Sequence, residues 1–277
     1  MSLANHPQTL GQRLGRWTVW TATVLVLFFL MAPILAIIPL SFSSGDFLTY
    51  PLPGLSLRWY HELLVSDKWL PALRNSMIIG VSATVIATVL GTLAALGLNR
   101  ARFAMKPLIM GLLLSPMIVP VIITAVGVYF FFAPLGLTDS YTGLILAHTA
   151  LAAPFVVITV SATLQHFDYT MARAAASLGA PPIRTFFKVV LPLILPGVAS
   201  GALFAFATSF DEVVVVLMIA GPGQRTLPRE MFSGIRENIN PTITAVATVL
   251  IVTSVILLSC LEALRRRSER LTTGKVT

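Results

Sequence analysis

The chain has 277 residues, of which 56% are hydrophobic and only 11% are charged. Soluble globular domains carry about 25% charged residues, so this composition excludes an ordinary water-soluble protein and indicates a membrane protein. The formal net charge of +8 does not indicate a nucleic-acid partner, because basic residues also collect at the cytoplasmic ends of membrane helices.

Six long apolar runs predict an all-α membrane protein with six transmembrane helices in one domain over residues 1–277. Each run can hold the roughly 20 residues that cross the hydrocarbon. The first run exceeds the usual apolar length of a signal peptide, so we expect a retained helix. The predicted helices cover residues 17–40, 72–98, 108–132, 142–164, 191–220 and 242–264.

The outer segment after the first helix carries Trp59, Tyr60 and Trp69, aromatic residues expected at a membrane interface. The stretch SLRWYHELL within it is typical of a short amphipathic helix. The second predicted helix is rich in Gly, Ala, Ser and Thr, which let membrane helices approach closely.

The third predicted helix contains Pro116 and Pro120, so we expect it to be broken or bent. Such a break can be a static kink or can line a cavity, and both readings stay open. The fourth contains His148. A packing histidine with a hydrogen bond to a neighbouring helix is favoured there over a ligand.

Residues 165–190 form a polar insert between the fourth and fifth helices. A small-residue helix is predicted over residues 171–178 and ends at Gly179; a double proline, Arg184 and Lys188 follow. Leu191 and Pro192 then open the next apolar run. We interpret this insert as a contact surface for another protein.

The distribution of basic residues predicts that both termini and the insert lie in the cytoplasm. With that orientation the cytoplasmic segments hold Arg13, Arg16, Arg100, Arg102, Lys106, Arg173, Arg184, Lys188, Arg265, Arg266, Arg267, Arg270 and Lys275. The outer segments hold fewer: Arg58, Lys68, Arg74, Arg225, Arg229 and Arg236.

Asp211 and Glu212 are the acidic residues of the fifth predicted helix. An unpaired carboxylate inside a membrane costs a few kcal/mol, so such residues are candidates for function. We interpret the pair as a site that attracts a cation; the alternative is a structural pair with Arg74, Arg225 or a partner subunit. Adjacent helical residues point about 100° apart, so we expect one of the two to face the pathway, with Asp211 favoured.

The sequence contains no phosphate-binding loop, no H-E-x-x-H, no C-x-x-C and no nucleophile elbow. We therefore expect no catalysis, no metal site and no cofactor in this chain. If the chain moves a solute uphill, the energy comes from a partner or an ion gradient.

The insert resembles the coupling loop of the membrane subunits of ABC importers. That loop reads E-A-A, three residues, G, nine residues, I-x-L-P; the matching positions here are Arg173, Ala174, Ala175, Gly179, Leu191 and Pro192. The resemblance implies that these residues contact an ATPase subunit. Arg173 stands where the family has glutamate, and we expect a partner with a complementary acidic residue.

The chain is most similar to the spermidine/putrescine branch, through three stretches. These are APFVVITVSATLQHFD, SFDEVVVV and AGPGQRTLPREMFSGIRENINPTITAVATVL. The resemblance implies a type I ABC importer permease fold in the bacterial inner membrane, forming half of the pathway for a polyamine or a related organic cation.

The implied partners are a homologous second permease, two ATPase subunits that bind ATP and magnesium, a periplasmic solute-binding protein and the lipid membrane. A different cargo (an opine, a phosphonate or iron) remains an alternative, as does pairing with an identical permease. A secondary transporter is less favoured because it normally has more helices and inverted repeats. The absent catalytic motifs disfavour a membrane enzyme, and the coupling insert disfavours a scaffold.

Overall fold

The protein is all-helical over the residues that the computed structural model describes, which are 10–100, 104–165, 167–237 and 240–273. The helices are α1 (Leu10–Leu40), α2 (Arg58–Val65), α3 (Trp69–Arg100), α4 (Lys106–Ile118), α5 (Val121–Phe132), α6 (Tyr141–Gln165), α7 (Tyr169–Ser177), α8 (Pro182–Thr185), α9 (Leu191–Phe210), α10 (Val214–Ile219), α11 (Leu227–Glu237) and α12 (Thr242–Thr273). Within those ranges the extended pairing is a single bridge between Ser43 and Leu55, and the predicted all-α class is confirmed.

Four helical segments of the described chain are long and apolar enough to cross a membrane: Gly15–Leu40, Trp69–Arg100, Tyr141–Gln165 and Pro182–Phe210. The bent pair formed by α4 and α5 makes a fifth if it is one span. The chain is therefore a membrane protein with several spans. The apolar part of the last helix, Thr242–Ile256, is shorter than these segments.

The chain divides into two compact units, residues 1–63 with 238–252, and residues 64–237 with 253–277. In the first unit, a loop after α1 folds on the start of α2. The indole of Trp59 donates to the carbonyl of Ser43 at 2.7 Å, and the hydroxyls of Ser41 and Tyr60 lie 2.6 Å apart. Trp59 is buried, so it packs inside this loop and is not the interface anchor that the sequence predicted.

In the second unit, α6 is the central helix and packs against α3 and α9. Small residues make these contacts possible. A Cβ added to Gly91 of α3 would lie 2.7 Å from Cβ of Val156, and one added to Gly201 of α9 would lie 2.9 Å from Cα of the same valine. The close approach expected of the second predicted helix is therefore present: Val156 of α6 packs against Gly91 of α3 and Gly201 of α9.

The third predicted helix is broken, as its prolines indicate. α4 and α5 meet at an angle of 107°, and the break lies at Val119 and Pro120. Pro120 has no N–H to donate, and its ring disfavours a helical conformation for the preceding residue. Val119 is accordingly extended, with φ −73° and ψ 132°.

The fifth predicted helix is not continuous over residues 191–220. Its first part, α9, ends at Phe210, and α10 starts at Val214. Asp211 occupies the C-terminal cap of α9, and a carboxylate oxygen of Glu212 accepts a hydrogen bond from the N–H of Val215 at 2.9 Å. The side chain of Glu212 thus accepts a hydrogen bond from a backbone N–H that has no partner within the first turn of α10.

Candidate functional site

The acidic pair lies at the break between α9 and α10 and lines a depression of about 390 Å³. The other lining residues are Ala207 and Thr208, one turn earlier in α9. Asp211 is exposed and Glu212 half-buried. Residue 212 is not helical, and both acidic residues line the same depression. Which of the two faces the pathway stays a prediction.

Neither alternative arginine pairs with these acids in the described residues. Arg225 forms an ion pair with Glu230 at 3.2 Å, and Arg74 is exposed without an ion pair in the described part of the chain. One oxygen of Glu212 is engaged by Val215. The depression therefore presents acidic side chains that form no ion pair with an arginine of the described chain, which suits a cationic ligand.

The last turn of α9, just before the acids, is held by both neighbouring helices. Its Ser209 hydroxyl lies 2.8 Å from Nδ1 of His148 in α6, and His148 is only 1% exposed. This confirms the expected packing histidine. On the other side, the rings of Phe206 and Phe210 are stacked at 5.2 Å and pack against Gly80 of α3.

The polar insert contains a short helix, α7, that carries Arg173, Ala174 and Ala175. Asp168 caps its start, accepting from the backbone N–H of Thr170 at 2.9 Å and from its hydroxyl at 2.5 Å. These hydrogen bonds, helped by the charge of Arg173, hold the pKa of Asp168 below its usual value. Its carboxylate therefore stays ionised and keeps the cap.

Gly179 ends this helix with a left-handed backbone conformation, φ +82°. The N–H of Ala180 donates to the carbonyl of Ala175 at 3.0 Å, and the N–H of Gly179 to that of Ala176 at 2.9 Å. Glycine adopts this conformation without the steric cost that a Cβ imposes. The predicted frame of a small-residue helix followed by a glycine turn is therefore present.

Leu191 and Pro192 do not open a new helical segment. The helical path already starts at Pro182 and runs through a π-helical turn, Phe186–Val190, into α9. A proline ring clashes with the carbonyl four residues earlier in a regular α-helix. The π-helical turn is wider than an α-helical turn, and it includes Lys188, the residue four positions before Pro192 at which this clash would occur.

The surface around α7 exposes large apolar side chains. Leu178 is 89% exposed and Ile183 is 74% exposed, and Arg184 and Lys188 are exposed beside them. Apolar side chains flanked by basic residues at the end of a membrane helix are typical of a protein-binding surface. The 20 residues of α9 separate this surface from the acidic depression by about 30 Å, at 1.5 Å per residue.

Part of the charged segment that follows α10 has a structural role. Arg229 donates to the carbonyl of Ala220 at 2.8 Å, and burial lowers the pKa of its guanidinium. The side chain of Asn75 donates to the carbonyls of Gly223 at 3.0 Å and Arg225 at 2.9 Å. These contacts fix the loop on α3, whereas Arg225 and Arg236 remain exposed.

Sequence reasoning missed a second cavity, beside α7, to which Arg100, Tyr169 and Thr185 contribute. Its residues come from three separate segments, and the one local signal was the arginine at the end of α3. Among the described residues, no group of three or more His, Cys, Asp or Glu side chains could hold a metal ion.

Residues 68–273 match the family described as "Binding-protein-dependent transport system inner membrane component". The chain is 34% identical to the spermidine/putrescine transport system permease protein PotC of Escherichia coli (strain K12), over 90% of this chain and 94% of PotC. It is 35% identical to the putrescine transport system permease protein PotI of the same strain, over 84% of this chain and 85% of PotI.

The fold is similar to a chain in the crystal structure of a bacterial alginate ABC transporter in complex with an alginate pentasaccharide-bound periplasmic protein. The TM-score is 0.71 with 15% sequence identity, and the match covers 94% of this chain and 98% of the other.

Proposed function

We propose that this chain, which belongs to the family of binding-protein-dependent transport system inner membrane components and is a transmembrane subunit of an importer, forms half of the translocation pathway for a polyamine or a related organic cation. The observation that carries the cargo assignment is the depression lined by Asp211 and Glu212. Two carboxylates suit a ligand with several ammonium groups. The names of PotC and PotI, which refer to spermidine and putrescine, support the same class.

The proposed topology has six transmembrane helices and both termini in the cytoplasm of a bacterium, with the chain in the inner membrane as one permease domain. In this arrangement the bent pair α4 and α5 forms the third span and α12 forms the sixth. The excess of basic residues on the proposed inner side supports the orientation. The depression then lies toward the outer end of α9 and the insert at its inner end.

The proposed partners are a homologous second permease, two ATPase subunits and a periplasmic binding protein. The similarity in fold to a transporter solved with a periplasmic protein supports a partner of that kind. ATP and magnesium would bind to the ATPase subunits, and this chain would carry no cofactor. The pathway would lie between the two permeases, and weak binding at the acidic pair would allow release inward.

The coupling role is assigned to Arg173, Ala174, Ala175 and Gly179 on α7 and its turn, with Leu191 and Pro192 at the entry to α9. Small side chains on α7 let another protein approach the helix closely. A movement imposed on α7 passes into α9 through the continuous helical path from Pro182. This path links the proposed ATPase surface to the proposed cargo site.

Copurification tests this function. We expect the tagged chain, solubilised from its own bacterium, to bring down an ATPase and a second permease. The ATPase activity of that complex in lipid should rise with spermidine or putrescine when the binding protein is present. An unrelated cargo that stimulates the same complex instead would overturn the polyamine assignment and leave the importer role intact; a chain that purifies alone would contradict the importer assembly.

The charge of Arg173 gives a test of the coupling surface. We expect Arg173→Glu to weaken the association with the ATPase by about tenfold or more, because reversing a charge at an interface places like charges together. Arg184→Glu makes the same change on an exposed residue outside the family frame and should have a smaller effect. Unchanged assembly and unchanged coupled ATPase activity in Arg173→Glu would exclude a complementary acidic partner.

A further inference from the structure

A cavity of about 530 Å³ lies between the end of α3, the helix α7 and the turn that follows it. Two arginines line it: Arg100, the last residue of α3, and Arg173 of α7. Most of the remaining wall is apolar and includes Leu96, Ala172 and Phe186. A cavity with two cations and an apolar wall suits a ligand that carries a negative charge on an apolar body.

The cationic part of the cavity is held in place before any ligand binds. The guanidinium of Arg100 lies over the ring of Tyr169, 5.4 Å from its centre. The hydroxyl of Tyr169 donates to the side-chain oxygen of Asn99 at 2.7 Å, which fixes the ring. A guanidinium so placed offers several N–H donors in a planar fork, the geometry that binds phosphate oxygens.

The guanidinium N–H groups of Arg100 and Arg173 are available to a ligand. In the described part of the chain, neither Arg100 nor Arg173 has an acidic partner within 4.0 Å. The acid closest in sequence to Arg173, Asp168, is occupied with Thr170.

We propose that this cavity binds the phosphate headgroup of an anionic phospholipid from the cytoplasmic leaflet. A lipid headgroup and a soluble phosphate compound both offer phosphate oxygens to the arginines. The apolar wall of the cavity favours the lipid, because a lipid also has an apolar part. Basic pockets between membrane helices on the cytoplasmic side bind such headgroups. The assignment rests on the proposed topology, which places α7 on the cytoplasmic side.

The test uses the assembled complex of the chain with its second permease and ATPase, in detergent that contains equal amounts of phosphatidylglycerol and phosphatidylcholine. Native mass spectrometry counts the lipids retained. We expect preferential retention of phosphatidylglycerol, reduced about fivefold in Arg100→Gln, since an arginine near an anionic lipid contributes about fivefold. Arg100 lies outside the residues assigned to the ATPase contact, so this variant should still assemble. Bound lipid is counted directly, so the result does not depend on transport or on the cargo.

Two further variants distinguish lipid bound in this cavity from lipid attracted by basic residues elsewhere on the surface. Leu96→Trp fills the cavity from α3 without changing charge, and we expect it to lose phosphatidylglycerol like Arg100→Gln. Arg184→Gln removes the same charge from an exposed residue that does not line the cavity, and it should retain the lipid.

Three results would overturn the proposal. The first is equal retention of the two lipids by the unmodified complex. The second is an equal loss in the Arg184→Gln control, or no loss when Leu96→Trp fills the cavity. The third is displacement of the lipid by an equal concentration of inorganic phosphate or glycerol 3-phosphate, which would make the ligand a soluble phosphate.

Discussion

Asp211→Asn should raise the cargo concentration needed for half-maximal uptake by about 10- to 100-fold, with little effect on assembly. The carboxylate is exposed, lines the depression at the end of α9 and has no ion-pair partner among the described residues. A hydrogen bond to a charged group contributes about 1.5–3 kcal/mol, which converts to this range. Asparagine keeps the shape and removes the charge.

Glu212→Gln should have a smaller effect, because one oxygen of Glu212 already accepts from the backbone of Val215. A glutamine oxygen can keep that hydrogen bond and so preserve the start of α10. Glu212→Ala removes both the charge and the hydrogen bond, and we expect it to lower uptake further than glutamine does. The uptake of Glu212→Gln shows the effect of removing the charge. The further loss in Glu212→Ala shows the effect of removing the hydrogen bond at the start of α10.

Uptake of labelled spermidine into proteoliposomes that contain the complete complex measures these effects. Asp46→Asn is the matched control: it removes one acidic charge from an exposed residue that pairs with Arg58, far along the chain from the depression. It should transport normally. Normal uptake in both Asp211→Asn and Glu212→Gln, with normal assembly, would contradict the assignment of the acidic pair to the pathway.

The break between α4 and α5 could be predicted from the sequence, and the break at the acidic pair could not. Pro120 acts locally: it removes a donor and restricts Val119 wherever it stands in an apolar run. The break after Phe210 includes a side-chain hydrogen bond, in which Glu212 accepts from the backbone N–H of Val215 at the start of α10. The flanking run of valines gives the same hydropathy as a continuous helix. The sequence therefore indicated the acids but did not indicate the helix break at which they lie.

The polar insert, residues 165–190, shows the same distinction at its two ends. The turn at Gly179 follows from its small-residue frame, because glycine is the residue that accepts a positive φ. The start of the next helix at Pro182 was hidden by Pro192, which would ordinarily mark a first helical turn. A π-helical turn allows Pro192 to lie inside a helix that starts at Pro182. No local sequence pattern predicts this turn.

The cavity beside α7 was beyond sequence reasoning for a different reason. Arg100 and Tyr169 are separated by the third and fourth predicted helices, and only the packing of α3 on α6 brings them together. Arg100 by itself is a basic residue at a helix end, one of several on the predicted cytoplasmic side. Its role is defined by the ring beneath it and the apolar wall beside it.

The second large effect concerns the glycines that contact α6. We expect Gly91→Ala and Gly201→Ala each to lower the stability of the folded chain by about 1–3 kcal/mol, the usual cost of overpacking a tight interface. At Gly91 the new methyl group would meet Cβ of Val156 at 2.7 Å and a backbone oxygen of Ala153 at 3.2 Å. At Gly201 it would meet Cα of Val156 at 2.9 Å. Backbone atoms cannot rotate away, so the helices must separate.

Gly97→Ala provides the control on α3 itself, since a Cβ there has nothing within 4 Å. Alanine is about 1 kcal/mol more favourable than glycine in a helix, so this variant should be as stable as the original chain or more so. The midpoint of thermal unfolding of the purified protein compares the three. Equal midpoints for Gly91→Ala and Gly97→Ala would contradict the close contact at Val156.

The same contacts bear on transport, because α9 carries the acidic depression at one end and continues at the other into the segment proposed to meet the ATPase. α6 holds the depression end of α9 through the hydrogen bond between His148 and Ser209, and its middle through Val156 and Gly201. A variant that separates α6 from α9 should therefore lose cargo-stimulated ATPase activity at temperatures below its unfolding midpoint. Gly201→Ala should show that loss more strongly than Gly91→Ala, since only Gly201 lies on the helix that joins the two sites. Equal loss in both variants would mean that general destabilisation, and not the contact of α9 with α6, limits coupling.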